Sequence, residues 1–565
     1  MSGSAGGGAG VETGGVETGG VDTGVTTFNL ADLWEAVARA VPDRVAVISE
    51  GTGATYRELD ERASRLAHWL LGRGIGPGDR VGVMLRNVPE HLETYLACFK
   101  IRAVPVNVNF RCTAAELGYL VGDAPLSGLV ADPEFLDVVT ACRSDGGEHW
   151  WVLATGTDYE AALRSGGEAD AGAGGDADVG AGAGAGRGPG PFPPRSSDAE
   201  YVIYTGGTTG DPKGVVWRME DAFFACIGGG DPTGERRPIT RPGEIVERID
   251  AVPTRFLPAA PLMHAAGSWP TLRWLLAGGA VVLVRDFDAA RIWDAIAEHH
   301  VDIMNIVADA MAGPLLEAFQ GRDRADHSSL RMIASGGAPL SEQGRTRLCA
   351  ALPGLVIRDI YGSSETGVQG WSDWRSPSSG PSRFVSLDTV LVDPETRDEA
   401  APGTEGLIAR RDHVPAGYHG DPDKSAQVFL TQGGRRLAVT GDLGRFNPDG
   451  TLTVIGRRSG FINTGGEKVN PTEVETVLRD HEQVADVLVL SEPSERWGQQ
   501  VVAIVVGGGS GPDIAALDTH CRESLAGYKV PRRYITVDAL TRKANGKPDH
   551  AWAAEVVSTT PGGTP

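Results

Sequence analysis

Apolar and polar positions along this chain follow two periods that take turns. Val45–Ser49 and Arg80–Leu85 are short apolar runs of strand length. Tyr56–Leu71 and His91–Phe99 carry apolar residues three and four apart, the spacing of one helix face. The exchange recurs downstream, where Ala290–His299 reads as helix, Val301–Val307 as buried strand and Ala310–Phe319 as helix. Such alternation predicts parallel sheets covered by helices, an α/β architecture. A tight turn at Asp449-Gly450 then separates two β-rich runs, Leu437–Phe446 and Leu452–Ile455. Beyond Gly456 a compact segment alternates by itself: helix Pro471–Arg479, strands Val484–Leu490 and Val501–Val506, helix Ile514–Leu525. We therefore expect a large N-terminal domain over 26–455, with helix-covered parallel sheets and a β-rich part. A small α+β C-terminal domain over 456–555 follows it.

Two tracts break the pattern. Residues 1–25 are Gly, Thr and acid, with the near-repeat Val11-Glu12-Thr13-Gly14-Gly15 and Val16-Glu17-Thr18-Gly19-Gly20. Residues 165–195 are rich in Gly, Ala and Asp and end in Pro191-Phe192-Pro193-Pro194. Neither composition can bury a core, so the first reads as a disordered tail and the second as a flexible insertion. Residues 556–565 are assigned to a second disordered tail.

Charge narrows the partners. Lys and Arg total 52 against 74 Asp and Glu, a formal charge of −22, which argues against nucleic acid or an anionic membrane surface. The six cysteines, Cys98, Cys112, Cys142, Cys226, Cys349 and Cys521, form no CxxC pair, so neither a zinc site nor a disulfide framework is indicated. No apolar run is long enough to span a bilayer, and the N-terminus lacks the basic and apolar regions of a signal peptide. A soluble cytoplasmic protein is the expectation.

The chemistry concentrates first in Tyr204-Thr205-Gly206-Gly207-Thr208-Thr209-Gly210-Asp211-Pro212-Lys213-Gly214, directly after the apolar run Tyr201-Val202-Ile203. Glycines let a backbone approach a phosphate chain and present its N–H groups, while hydroxyls and a lysine add donors and positive charge. The spacing is not that of the Walker loop. Gly- and Thr-rich surface loops are common, but an apolar strand running into so dense a donor cluster favours a nucleoside triphosphate.

Five further motifs follow in order: Ser335-Gly336-Gly337-Ala338-Pro339, Tyr361-Gly362-Ser363-Ser364-Glu365-Thr366-Gly367, Thr440-Gly441-Asp442-Leu443, Gly456-Arg457 and Asn545-Gly546-Lys547. In this order and spacing the six resemble the core motifs of the adenylate-forming superfamily of acyl-CoA synthetases, carrier-linked adenylation domains and luciferases. The resemblance runs from about Leu30 to Ala554, apart from the Gly/Ala insertion. Gly214-Val215-Val216-Trp217-Arg218, Ile462-Asn463-Thr464-Gly465-Gly466-Glu467-Lys468-Val469 and Gly546-Lys547-Pro548-Asp549 are similar to patterns of actinobacterial AMP-forming acyl-CoA synthetases.

That resemblance implies a role for each position. A carboxylate attacks the α-phosphate of ATP to give an acyl-adenylate and pyrophosphate, and a thiol then takes the acyl group from AMP. Thr205, Gly206, Gly207, Thr208, Thr209, Gly210 and Lys213 would hold the β- and γ-phosphates, with Gly206 standing where serine is commonest. Glu365 would bind Mg²⁺, a cation that prefers carboxylate and phosphate oxygens. Ser364 would bond the α-phosphate, with Gly362 beside it in the same motif. Tyr361 on one side and Gly337, Ala338 and Pro339 on the other would enclose adenine. Asp442 would accept from both ribose hydroxyls, and Arg457, just past the boundary, would approach the same ribose. Lys547 would bridge carboxylate and α-phosphate in the first step. His264, in Pro261-Leu262-Met263-His264-Ala265-Ala266-Gly267, matches an aromatic motif at the mouth of the acyl pocket. Ser459 falls at the hinge on which the small, mobile domain turns, bringing Gly465, Gly466 and Glu467 to the pantetheine tunnel of coenzyme A.

Pocket candidates are Ala265, Ala266, the 305–312 segment and the residues after Gly362. They are mostly small or apolar, which suits a hydrophobic acid, aromatic, branched or alicyclic. Trp269 and Trp274 read as helix core. The acceptor stays open at this point between CoA, a carrier-protein thiol, and nitrite in the diazotisation of an aryl amine. A homodimer stays open likewise.

Overall fold

The computed structural model describes residues 24–144, 150–171, 191–205, 212–380, 382–401, 403–457, 460, 462–464, 467–494, 498–508, 511–525, 527–543 and 546–560. Local chemistry starts its helices. Thr55 accepts from the Glu58 backbone N–H while the Glu58 carboxylate accepts from that of Thr55, and helix Tyr56–Gly72 follows. Thr113 and Glu116 repeat the device before Ala114–Asp123. Along Tyr56–Gly72 the buried residues Tyr56, Leu59, Ala63, Leu66, Ala67 and Leu70 form a single stripe, as their spacing predicts.

The largest sheet has nine strands, ordered Val385–Ser386, Gly367–Trp374, Val356–Ser363, Met332–Ser335, Ile303–Ile306, Arg255–Pro258, Ala280–Leu283, Val45–Ser49 and Thr52–Thr55. From Val356–Ser363 to Val45–Ser49 all neighbours are parallel, and only the outer strands are antiparallel. A second, wholly parallel sheet joins Val104–Asn107, Arg80–Met84, Gly128–Ala131 and Trp151–Ala154. Glu200–Thr205 pairs antiparallel with Lys213–Arg218, which carries Gly417–Tyr418 on its other edge. The β-rich part is an antiparallel sheet of Thr389–Val392, Gly406–Arg411, Arg435–Phe446, Phe429–Gln432 and Leu452–Arg457. The C-terminal segment has a five-stranded sheet and a core of its own around Ile462, Val474, Leu478, Val487, Val505 and Leu517. A large α/β domain with a small C-terminal one is thus what the periodicity predicted. Trp269 and Trp274 lie in the core, at 5% and 7% exposure. Among the described residues no helix is long and apolar enough to cross a membrane. All six cysteines are free.

Three expected boundaries move. Strand Leu452–Arg457 runs past 455 and pairs Gly456 with Leu443 and Arg457 with Asp442, so both residues belong to the β-rich sheet of the large domain. At the other end, helix His550–Thr559 extends through residues assigned to a tail. Its N-cap Asp549 accepts from the backbone N–H groups of Ala551 and Trp552, Val557 is buried, and Arg533 donates to the carbonyls of Val557 and Thr560. Ala553 and Val557 seat it in the core, with Trp552 and Val556 packed alongside.

The ends of the 165–195 tract are also ordered. Helix Thr157–Ala171 carries its first residues, and Phe192 stacks on His68 with ring centroids 4.6 Å apart. Arg195 pairs with Asp32 at 2.9 Å and Glu35 at 2.8 Å, and Glu35 also holds Lys100, which is 1% exposed and reaches Asp60 at 2.8 Å. Residues 1–23 and 172–190 lie outside the described residues. Arg195→Ala removes one cation from this enclosed network and should lower stability by about 2 kcal/mol, read as a fall in denaturation midpoint. An unchanged midpoint would return Arg195 to the insertion.

Candidate active site

Of the phosphate-loop positions, Gly206, Gly207, Thr208, Thr209 and Gly210 lie outside the described residues, whereas the strands that enter and leave the loop are fixed. Thr205 and Lys213 face each other in register. A Cβ at Gly214 would come within 2.7 Å of the Tyr204 ring, so a side chain there would collide with the entry strand. Asn107 accepts from the Tyr204 N–H at 2.7 Å and donates to the carbonyls of Tyr204 at 2.9 Å and Met263 at 2.8 Å. One side chain thereby ties the loop's entry strand to the residue before His264. Lys213 pairs with Asp421 at 2.5 Å, which holds the lysine above and the carboxyl below their ordinary values. Asp421 also caps helix Pro422–Val428 by accepting from the Lys424 N–H at 3.0 Å. The Lys213 and Lys424 ammonium groups lie 5.7 and 5.9 Å from the centroid of the Tyr418 ring. The Tyr418 hydroxyl donates to Glu365 at 3.0 Å. Two lysines, a tyrosine and the expected metal ligand are therefore contiguous. Burial, then the charge of Lys213, presses the Lys424 pKa down.

Glu365 sits in the turn between Val356–Ser363 and Gly367–Trp374. The turn is bonded within itself: Ser363 N–H donates to Thr366 Oγ1 at 3.1 Å, and Glu365 N–H donates to Ser363 Oγ at 3.2 Å. Trp217 Nε1 donates to the Ser364 carbonyl at 3.1 Å. Gly367 adopts φ +63°, and a Cβ there would lie 2.5 Å from the Ala225 carbonyl, so the position requires glycine on both counts. Beneath the turn lies Arg410, 2% exposed. Its Nη1 donates to the carbonyls of Thr366 at 3.1 Å and Val368 at 2.8 Å, its Nε to those of Asp412 at 3.3 Å and His413 at 3.2 Å, and its Nη2 to Asp388 at 3.1 Å. Asp388, Asp412 and His413 all have positive φ, at 44°, 63° and 45°. One guanidinium pins three left-handed residues and the Glu365 turn together.

The expected nucleoside residues converge. The Tyr361 hydroxyl donates to Asp442 at 3.0 Å. Arg457 is the direct register partner of Asp442 across the sheet. Gly336 lies against Ile360, the residue before Tyr361, with a built Cβ 3.5 Å away, so the exposed 337–339 turn lies beside the tyrosine's strand. Ser459, Gly465 and Gly466 lie outside the described residues, and of Glu467 only the strand Glu467–Val469 is described.

His264 precedes helix Ala265–Leu276, and its Nε2 is enclosed without a hydrogen-bond partner among the described residues. Burial, then the positive charges of Arg111 and Lys547, push its pKa down to about 4. Lys547 is an exposed residue of the small domain, whereas His264 belongs to the large one. A histidine whose folded pKa lies below its unfolded one takes up less proton than the unfolded chain between about pH 4 and 6.5, so its contribution to stability falls on acidification through that window. His264→Phe should therefore lose a few degrees less in Tm than the parent between pH 6.5 and 4. Parallel profiles would mean a solvated ring.

Among the described residues no group of three or more His, Cys, Asp or Glu could hold a metal ion alone. Glu365 fits Mg²⁺ of the phosphate-borne kind, which takes one or two carboxylates and completes its shell with phosphate oxygens and water. Sequence reasoning missed Asn107, Arg410, Tyr418, Asp421 and Lys424. For Asn107 a signal existed: a polar residue ending the apolar strand Val104–Asn107 must find partners.

The profile of the family described as AMP-binding enzyme matches residues 34–419, and that of the AMP-binding enzyme C-terminal domain matches residues 473–547. A medium/long-chain-fatty-acid–CoA/3-oxocholest-4-en-26-oate–CoA ligase of Mycolicibacterium smegmatis is 39% identical, covering 94% of this chain and 97% of its own. A 3-oxocholest-4-en-26-oate–CoA ligase of Rhodococcus rhodochrous is 36% identical, covering 94% and 96%. The structure of an anthranilate CoA ligase in complex with anthranoyl-AMP superposes with a TM-score of 0.77 at 21% identity, covering 94% of this chain and 97% of that one, which bears on the fold alone.

Proposed function

Because the chain belongs to the AMP-binding enzyme family, we propose that it activates a hydrophobic carboxylic acid with ATP and transfers the acyl group to CoA, releasing pyrophosphate and AMP. The observation that carries this reading is the contiguous group of Lys213, Lys424, Tyr418 and Glu365 beside the strand that leaves the phosphate loop, which Lys547 of the small domain would complete. A lysine there offsets the repulsion between a carboxylate and a triphosphate, and it does so most strongly as the two join.

The other residues divide the work. Lys213 and Lys424 meet the β- and γ-phosphates, with Asp421 surrendering Lys213 as they arrive. Tyr361 and Asp442 hold adenine and ribose, and Glu365 holds Mg²⁺, which when bound neutralises phosphate charge. His264, neutral above about pH 4, closes the pocket mouth without placing a second cation beside Lys547. The Ser459 hinge and the 465–467 tunnel belong to the second half-reaction. Free cysteines throughout suit a reducing cytoplasm.

The test is pyrophosphate release across a panel of fatty, alicyclic and aromatic acids, with CoA then added. Acid-dependent release followed by CoA-dependent thioester supports the reading. Release without thioester moves the acceptor to a carrier protein or to nitrite, and no release with any acid removes the ligase reading.

A further inference from the structure

Three buried asparagines grip the chain between Pro258 and Ala266, the stretch that delivers His264, and each is 5% exposed. Two are satisfied at both ends of the amide. Asn87 donates to the carbonyls of Pro258 at 3.2 Å and Ala260 at 3.3 Å and accepts from the Leu262 N–H at 2.8 Å. Asn107 donates to Tyr204 and Met263 and accepts from Tyr204. The third, Asn305, donates from Nδ2 to the Ala266 carbonyl at 2.5 Å, but its Oδ1 is enclosed and has no partner among the described residues. The amide cannot be reversed, because a carbonyl accepts only and the atom facing Ala266 must be the nitrogen. An acceptor left bare in this way is destabilising. It has a reason to persist if a ligand supplies the donor.

Position says which ligand. Asn305 lies near the carboxyl end of the parallel strand Ile303–Ile306, where ligands of open α/β sheets collect. Its amide faces the first turn of helix Ala265–Leu276, two residues beyond His264, whose Nε2 is likewise enclosed and unpartnered. That turn cannot draw back: a Cβ on Gly267 would stand 2.3 Å from the Pro261 carbonyl. Pro258 and Ala334, the register partners of Asn305 on the two neighbouring strands, bring no donor side chain.

We propose that Asn305 determines specificity by accepting a hydrogen bond from a hydroxyl or amino group that the substrate acid carries within a few atoms of its carboxyl. The proposal rests on the ligase reading and narrows its substrate class, from hydrophobic acids in general to those with a donor near the reacting end. A buried polar group discriminates well here, because an acid lacking the donor leaves Oδ1 bare in the complex.

The experiment uses matched pairs: salicylate and 2-aminobenzoate each against benzoate, and a 3-hydroxyalkanoate against the alkanoate of equal length. The reading is the ratio of kcat/KM for pyrophosphate release within each pair, which cancels any loss of folded enzyme. We expect the parent to favour the donor-bearing member of at least one pair by about tenfold or more, and Asn305→Leu to bring that ratio towards one. Should the variant fail to fold, the parent's own ratios decide. Ratios within about threefold of one in every pair overturn the proposal, leaving Oδ1 to an ordered water, as does a preference that Asn305→Leu leaves unaltered. Both outcomes still show acid-dependent release, which separates them from failure of the ligase reading, where no acid gives any.

Discussion

Lys547→Ala is expected to stop acyl-adenylate formation, with a loss of about 10²–10³-fold or more in single-turnover pyrophosphate release. The side chain is exposed, so its truncation removes little packing, and stability should stay within about 0.5 kcal/mol of the parent. What disappears is a charge that matters most when carboxylate and α-phosphate share a bond. Thioester formation from a supplied acyl-adenylate has already passed that point and should survive largely intact. The same variant should also relieve His264 of one neighbouring cation, moving its titration upward. Equal losses in both half-reactions would place Lys547 in general binding or folding instead.

Arg410 carries the second large effect, by another route. Substituting methionine leaves four carbonyls without their donor and removes the partner of Asp388 beside three left-handed residues. A buried cation this committed should be worth about 3–5 kcal/mol, so Arg410→Met is expected to lower Tm sharply. In the enzyme that remains folded, the Glu365 turn loses its support, so the KM for ATP and the Mg²⁺ concentration at half-saturation should rise more than the KM for the acid. Arg410→Lys restores charge without the fork of donors, so it should recover part of the stability and less of the ATP affinity. Equal changes in the KM values for ATP and acid would show that Arg410 supports the fold alone.

Why was Arg410 silent in the sequence when Tyr204–Gly214 and Tyr361–Gly367 were not? The motif residues act through spacing along the chain, as does the hydrophobic stripe of Tyr56–Gly72, and spacing is what a sequence displays. Arg410 acts on carbonyls of residues 366 and 368, more than forty positions away, and looks like any arginine at the end of a strand. Asn305 was legible only as the first residue of the 305–312 pocket segment, and its bare oxygen becomes visible once Asn87 and Asn107 stand beside it as satisfied counterparts. Asp421 and Lys424 meet Lys213 only because Gly417–Tyr418 pairs with the strand leaving the phosphate loop. The misplaced ends at 455, 165 and 556 share one cause. Composition marks where a core becomes unnecessary, whereas an ordered segment ends where its last partner lies, as at Arg457 opposite Asp442 or Thr560 under Arg533.

That last strand pairing also sets the mechanics of any swing of the small domain. Chain neighbours across a sheet stand about 5 Å apart, so the strand leaves the large domain within one spacing of the expected ribose ligand. Motion about a pivot just beyond Arg457 is smallest near its axis and grows with distance from it. On the proposed reading, a nucleotide held at Asp442 would lie by the hinge pin and be scarcely displaced, however far the rest of the small domain travels. An adenylate made under Lys547 would then stay seated while the lysine is carried away and the face proposed to admit the thiol takes its place.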